Sequence, residues 1–242
     1  MSWRINDAAE LEDAIMNLKM MLARKAGARK NMTVVDVGCG QGGFTAALSR
    51  TVGEQGKVVA IDVTDEYLEE FKDRLKRHGY VKNVSFIRAD AIGLGRVVPD
   101  GFADVVASYR FLEELKQSKD MARVVGEMAR IAKEKGRVSI IELCTEPRNE
   151  AEEAYIRLHR ESGDHLFEPH EVAEAMKEAK LVRVRVENVE TDIWFSPDLA
   201  KQHLSHAQVW CDADVEKSLG KLIDKHGMKY PALYLVSGTK SR

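Results

Sequence analysis

The sequence predicts an α/β fold, a doubly wound and mostly parallel sheet with helices on both faces, as a single domain over residues 1–242. Val34, Val35 and Val37 form a short, nearly continuous apolar run, the pattern of a parallel strand covered on both faces. That run breaks into the turn Gly38-Cys39-Gly40-Gln41-Gly42-Gly43, after which Phe44, Ala47 and Leu48 recur at helical spacing. Strand patterns at 57–62, 84–89, 100–108 and 138–143 follow, separated by helical patterns, which is the βαβ alternation of right-handed crossovers.

Composition narrows the class. Charged residues make up 31% of the chain and the hydrophobic set 44%, ordinary for a soluble globular protein. Lys and Arg number 37 against 39 Asp and Glu, a net charge of -2, so there is no global basic footprint for nucleic acid. The local cluster Arg24, Lys25, Arg29 and Lys30 reads as a solvated helix end, since cations suit a helix C-terminus. Three cysteines, an odd and sparse count, indicate a reduced intracellular protein rather than a disulfide scaffold, with Cys39 a small residue tolerated in the turn. The N-terminus lacks a signal peptide's apolar core and no apolar run is long enough to span a bilayer, so a cytoplasmic protein is expected.

Residues 6 to 25 form an amphipathic helical pattern with Leu11, Ala14, Ile15, Leu18, Met21 and Leu22 on one face, either packed on the domain or closing over its site. The glycine turn offers bare N–H groups at a helix start and lets a ligand approach closely. Asp36, two residues before the first glycine, adds a negative charge that repels a pyrophosphate and suits a cationic or amine-bearing ligand. The second strand, Lys57 to Asp62, ends in an acid able to accept hydrogen bonds from both ribose hydroxyls of a nucleoside, or else to cap a turn. Leu68, Phe71 and Leu75 mark the next helix, and the alternating strand Val84 to Ala89 ends in Asp90-Ala91, where Asp90 is a ligand group or a turn former. The fourth strand ends at Ser108; Met121, Val124, Val125, Met128 and Ile131 line a helix closed by Lys133-Glu134-Lys135-Gly136; Val138 to Leu143 is the fifth strand.

Beyond a polar stretch from Glu146 to Asp164, Glu168-Pro169-His170-Glu171 opens a helix with Val172, Met176 and Ala179 inward. Val182, Val184 and Val186 alternate with Arg183, Arg185 and Glu187, predicting a strand with one wet face. The last strand is Ala232 to Gly238. Between them, 191–231 has helical periodicity from Leu199 to Leu222, and Trp194, Phe195 and Trp210. It predicts a small helical cap over an acceptor, inserted before the last strand, or simple core packing of the tryptophans.

Asp36-x-Gly38-x-Gly40-x-Gly42, with Asp62 and Asp90, resembles the motif set of the class I S-adenosylmethionine-dependent methyltransferases over most of residues 34–143. Gly38-x-Gly40-x-x-Gly43 also satisfies the dinucleotide fingerprint. The resemblance implies a Rossmann-like, seven-stranded sheet of order 3-2-1-4-5-7-6 with an antiparallel last strand, an N-terminal helix within 1–30, and S-adenosyl-L-methionine across the carboxyl ends of strands one to four. It implies cofactor-binding roles for Asp36, Gly38, Gly40, Gly42, Asp62, Val63, Asp90, Ala91 and Ser108, with Asp62 on the ribose, Asp90 on the adenine amino group and the Ala91 backbone against the ring. The end of strand four faces the transferred methyl, so Tyr109 is a candidate catalytic residue; among the substrate-side histidines His159, His165 and His170, the candidate is His165, in the Gly163-Asp164-His165 turn.

Ser108-Tyr109-Arg110-Phe111 is not the Asn/Asp-Pro-Pro-Tyr tetrapeptide of the adenine and glutamine N-methyltransferases. The histidine spacing matches no metal motif and no acidic cluster suggests a divalent cation, so no metal is expected. The chain looks like the small-molecule branch that includes quinone C-methyltransferases, a transferase class working by in-line displacement. The expected partner is a small-molecule substrate, with no membrane insertion. An RNA or protein methyltransferase is the main alternative, and near-neutral charge weakens the RNA version. Asp36 and Asp90 argue against a NAD-binding oxidoreductase. The lack of a further acidic motif after strand four argues against an aminopropyltransferase of the spermidine synthase type. The intact Asp36, glycines, Asp62 and Asp90 argue against a non-catalytic binding protein.

Overall fold

The computed structural model describes residues 4–115, 117–206 and 213–241. Its strands are β1 (Thr33–Val37), β2 (Lys57–Asp62), β3 (Val84–Arg88), β4 (Ala103–Tyr109), β5 (Ala132–Leu143), β6 (Leu181–Val189), the short β7 (Trp194–Phe195) and β8 (Met228–Lys229), and β9 (Leu233–Lys240). Its helices are α1 (Ala8–Lys25), α2 (Gly43–Val52), α3 (Leu68–His78), α4 (Ser118–Ile131), α5 (Glu150–Glu161), α6 (Pro169–Glu178), α7 (Pro197–His206) and α8 (Ala213–His226). The main sheet has the order β3-β2-β1-β4-β5-β9-β6. β1 to β5 run parallel, and β9 lies antiparallel between β5 and β6. With the two-residue strands set aside, this is the expected order 3-2-1-4-5-7-6.

The two-residue period of β1 divides the core. Val34 packs with Leu22, Phe44, Leu48, Phe71 and Leu75 on the face covered by α1, α2 and α3. Val35 and Val37 pack on the other face with Met128, Ile131 and Met176, from α4 and α6. Each fully buried Leu or Ile contributes about 1.5–3 kcal/mol of transfer free energy, so the continuous apolar strands specify a sheet covered on both sides. Asp7 caps α1 by accepting from the Ala9 and Glu10 amides at 2.9 and 3.0 Å. α1 packs against α2 with Leu18 and Leu22 buried. No helix among the described residues is long and apolar enough to cross a membrane.

Three sequence expectations are corrected. The helix before the fifth strand stops at Ile131, and residues 132–136 enter β5, with Lys135 in the left-handed region at φ 62°. The segment 191–231 is more than a cap. Phe195, Leu199, Leu219, Ile223 and Met228 are buried in the core that also holds α1 and α5, and β7 pairs with β8. Trp194 is half-buried, its indole N–H on Asp192; Trp210 lies outside the described residues. β6 is not a simple alternation either. It pairs Val182 with Thr239 and Arg185 with Ser237, so one extra residue stands on β6. Such a bulge reverses which side chains face each side. Arg183, in the bulge, takes φ 55°, a conformation costing a non-glycine residue about 1 kcal/mol or more.

Asp36 shares Val34's face and is turned under the glycine turn, 1% exposed, with Thr45 Oγ1 donating to its Oδ2 at 2.6 Å. Burial raises its pKa to about 7, against the smaller lowering by Thr45 and by the Lys19 ammonium. Burial likewise pushes Lys19 down to about 8. The folded-state pKa of Asp36 lies above that of a free carboxyl. Its contribution to stability is therefore complete below about pH 4 and is lost as pH rises to about 7. Asp36→Asn removes that loss, and near neutral pH it is expected to raise stability by up to about 4 kcal/mol at roughly 1.4 kcal/mol per pH unit. Urea midpoints at pH 4 and pH 7 check this: an unchanged difference between wild type and variant would show that Asp36 titrates normally.

Candidate active site

The site is built at the carboxyl ends of β1, β2, β3 and β4, where the strand order reverses direction from β1. After β1 the chain takes φ 73°, 46° and 78° at Gly38, Gly40 and Gly42, alternating left-handed positions that only glycine adopts without strain. The Gly38 and Cys39 amides both donate to the Ile61 carbonyl, at 2.9 and 3.0 Å, which ties the turn to β2. A Cβ on Gly38 would stand 2.2 Å from the Phe111 ring, whereas one on Gly40 would meet nothing within 4 Å. The turn is thus closed on one side and open on the other.

The open side is a cavity of about 440 Å³, within the range of small-ligand sites. Gly38, Gly40, Asp62, Val63, Asp90 and Ala91 line it, with Arg110 and Phe111 at the β4 end. Asp62 Oδ2 accepts from the Gly40 amide at 2.8 Å and Oδ1 from Thr64 at 3.2 Å, so the carboxylate is fixed while retaining acceptor capacity for a diol. Asp90 Oδ1 accepts from the Ile92 amide at 2.9 Å; it shapes the turn and lines the cavity at once. This acceptor-rich lining, beside a glycine whose Cβ position is empty, fits the nucleoside of S-adenosylmethionine.

At the β4 end the structure gathers groups from three segments. Arg110, at φ 50°, directs its guanidinium to Tyr155 Oη at 2.8 Å and Glu113 Oε1 at 2.6 Å. Its Nη2 lies 3.2 Å from both ring nitrogens of His159, an equidistance that places it over the imidazole rather than in line with either nitrogen. His159 Nδ1 donates to Asp164 Oδ2 at 2.6 Å, and its ring packs on Tyr155. Glu113, His159 and Asp164 present ligand atoms within 4.8 Å of one another, and the cation standing among them is Arg110. The loop is held from below by Glu142, whose Oε1 accepts from the Phe111 and Leu112 amides at 3.1 and 2.9 Å. Burial, then the neighbouring Glu113, pushes the Glu142 carboxyl up to about 8.

The remaining sequence candidates fall elsewhere. Asp36, Gly42, Ser108 and Tyr109 do not line the cavity. Asp36 Oδ1 and Ser108 Oγ are buried without a protein partner at the ends of β1 and β4. Tyr109 stacks on Phe44 and hydrogen-bonds Tyr230, with Lys19 Nζ 5.1 Å above its ring. Burial and Tyr230 drive its pKa far up, so it stays protonated. Burial also raises the Cys39 thiol, which keeps it unreactive. His165 is exposed, edge-on to Phe167, and meets the site only through its backbone amide on the Glu113 carbonyl. The histidine placed among the polar groups is His159. Sequence reasoning also passed over Lys19, whose spacing of four from Ile15 sets a cation on the apolar face of α1, and Arg110 and Tyr155, whose meeting depends on where α5 docks.

A family model described as a methyltransferase domain matches residues 28–213. The ubiquinone/menaquinone biosynthesis C-methyltransferase of Proteus mirabilis (strain HI4320) is 36% identical over 117 residues, 48% of this chain and 45% of that protein. The chain spans about half the length of the curated relatives it matches. Among solved structures, a SAM dependent methyltransferase from Aquifex aeolicus superposes with a TM-score of 0.56 at 22% identity, covering 97% of this chain and 94% of that one. A cyclopropane-fatty-acyl-phospholipid synthase-like protein from Lactobacillus casei ATCC 334 gives 0.71 at 16% identity, covering 99% and 95%; at these identities the likeness is one of fold. With the family model matching most of its length, the chain belongs to the methyltransferase-domain family, in its class I S-adenosylmethionine-dependent form.

Proposed function

We propose that this protein transfers a methyl group from S-adenosylmethionine to a small-molecule acceptor by in-line displacement. The supporting observation is the cavity that runs from Asp62 and Asp90 to Arg110, whose guanidinium in turn meets Glu113, Tyr155 and His159. The bound cofactor supplies an electrophilic methyl on a sulfonium. Asp62 holds the ribose hydroxyls, Asp90 and the Ala91 backbone hold the adenine, and Gly38 and Gly40 allow close approach. Tyr109, protonated, buried and bonded to Tyr230 outside the cavity, takes no part in the chemistry of this reading. His159 lies behind Arg110 rather than on the cavity wall, and it is the base of this reading because Asp164 fixes its ring in the way an acid orients a catalytic imidazole.

The curated relatives are named for C-methylation in quinone biosynthesis. Methylation of a ring carbon requires loss of a proton, which gives His159 a role, and an electron-rich phenolic ring is therefore the acceptor class this reading favours. Arg110 suits the phenolate such a ring carries. Cys39 and Cys144 are free, in keeping with a reduced, cytoplasmic setting.

Calorimetric titration should give a dissociation constant on the order of micromolar for S-adenosylmethionine, about -8 kcal/mol. It should also show binding of S-adenosylhomocysteine, none of NAD, and at least about 100-fold weakening in Asp62→Ala. Binding of NAD alone would turn the reading to an oxidoreductase. With an alkyl-hydroquinone as acceptor probe, Asp164→Asn should lower kcat by about 100-fold, the usual scale of a lost acid–base partner, and leave cofactor affinity unchanged. Equal turnover in wild type and variant would remove His159 from the chemistry.

A further inference from the structure

A second recess lies on the sheet face under α1, away from the cavity. Arg137 pairs with Val105 on β4, whereas Tyr109, at the cavity end, pairs with Ile141. The recess has a volume of about 530 Å³ and is lined by Arg24 and Lys25 from the end of α1, by Arg29 from the turn that follows, and by Arg137, Arg185 and Ser237 from the sheet. A smaller hollow of about 200 Å³ adjoins it, between Arg137, Arg183, Arg185 and Thr239.

The register shows how it is built. β5 and β9 pair Arg137 with Thr239 and Ser139 with Ser237. β6 then pairs Arg185 with Ser237, in the unbroken register that runs on to Val189 and Leu233. Directly paired residues share a sheet face, so Arg137, Ser139, Ser237, Thr239 and Arg185 all face α1. The continuous pairing of Arg185 to Val189 with β9 sets Arg185 on this face by plain alternation, and the bulge changes only the register of Leu181 and Val182. Arg183, in left-handed backbone, lines the smaller hollow beside Arg137. The path from α1 to β1 also yields to Arg137, since a Cβ on Gly27 would lie 2.7 Å from its Cδ.

The charges do not balance. Lys25 is paired with Glu187, the one carboxylate lining the recess. Arg29 donates to the Arg24 and Ala28 carbonyls. Arg137 is held by the neutral hydroxyls of Ser139 and Ser237, at 3.3 and 2.9 Å. Among the described residues, Arg24, Arg183 and Arg185 meet no carboxylate. Burial, with Arg29 and Arg185 nearby, lowers the pKa of Arg137. Arg24 from α1, Arg29 from the turn after it, Arg137 from β5 and Arg185 from β6 thus line one recess, and among the described residues none of the four is paired with a carboxylate.

We propose that this recess is a binding site for a diphosphate-type anion, one carrying three to four negative charges. A guanidinium fork takes two oxygens of one phosphoryl group, and four forks match the charge of two linked phosphoryl groups rather than that of a single carboxylate. The Ser237 and Thr239 hydroxyls supply further donors. The diphosphate belongs either to a soluble molecule or to phosphates clustered on a lipid surface.

Calorimetry with sodium pyrophosphate at low ionic strength tests the site. Saturable binding that weakens with salt is expected, with at least about tenfold loss of affinity in Arg185→Ala and partial recovery in Arg185→Lys. S-adenosylmethionine affinity should stay at the wild-type value in both variants, which also controls for folding. Co-sedimentation with phosphatidylcholine vesicles containing phosphatidic acid separates the sources. Capture that pyrophosphate displaces and Arg185→Ala abolishes identifies a lipid surface; pyrophosphate binding without capture identifies a soluble anion. No saturable pyrophosphate binding by the wild type, or equal binding by Arg185→Ala, overturns the site. Neither result bears on whether the cavity binds its cofactor.

Discussion

The tie between the glycine turn and the Ile61 carbonyl is the constraint on which the active site depends. Two consecutive amides, those of Gly38 and Cys39, converge on that one acceptor, and the left-handed Gly38 between them turns both toward it. The Asp62 carboxylate then closes on the Gly40 amide. Gly38 also leaves room for Phe111, and Phe111 is held in place by Glu142 at the end of β5. The ends of β1, β2, β4 and β5 are thereby locked around a turn of five residues. A side chain at Gly38 would displace Phe111 and the loop that carries Arg110, so cofactor cradle and acceptor end share one steric origin.

The same region buries ionisable groups that a core ordinarily excludes. Asp36 and Glu142 are nearly inaccessible, and both carboxyl pKa values are raised by burial. Lys19 is lowered toward them. Isolated charges at these positions would cost several kcal/mol each; shifting each pKa toward neutrality limits that cost. The site therefore sits close to the point at which its proton content changes, as perturbed groups at functional sites commonly do. A cationic ligand above the turn favours the ionised form of Asp36, which links ligand charge to a group that does not touch the cavity.

What could be read from the sequence was local. Strand, glycine turn and helix are written within residues 34–48, and the acids at 62 and 90 follow from their places at strand ends, so the fold and the cavity's nucleoside side were legible. The acceptor end was not, because it is made by docking. His159 and His165 are indistinguishable as letters in a polar stretch. The α5 helix turns one toward Tyr155 and Arg110, while the chain after it leaves the other in solvent. β6 shows the opposite failure. Its alternation of valine and charge is a strong period-two signal, yet one extra residue reverses its meaning, and pattern counts carry no trace of a bulge. Likewise Arg24, Lys25 and Arg29 read as a solvated helix end until Arg137 and Arg185 appear beside them.

These two readings place polar recesses at two places along the same strands. β5 contributes Arg137 to one and, through Glu142, supports the loop at the other. Between them lie Ser139, Ile140 and Ile141, fully buried and paired to β9 on one side and β4 on the other. A rigid, close-packed strand of this kind has little freedom to relay a displacement. The other element common to both places is α1. That helix carries Lys19 over Tyr109 at one end of its reach and Arg24 and Lys25 into the arginine recess at the other. α1 packs on α2 with Leu18 and Leu22 buried in the core, so the two sites share one packed helix as well as one strand.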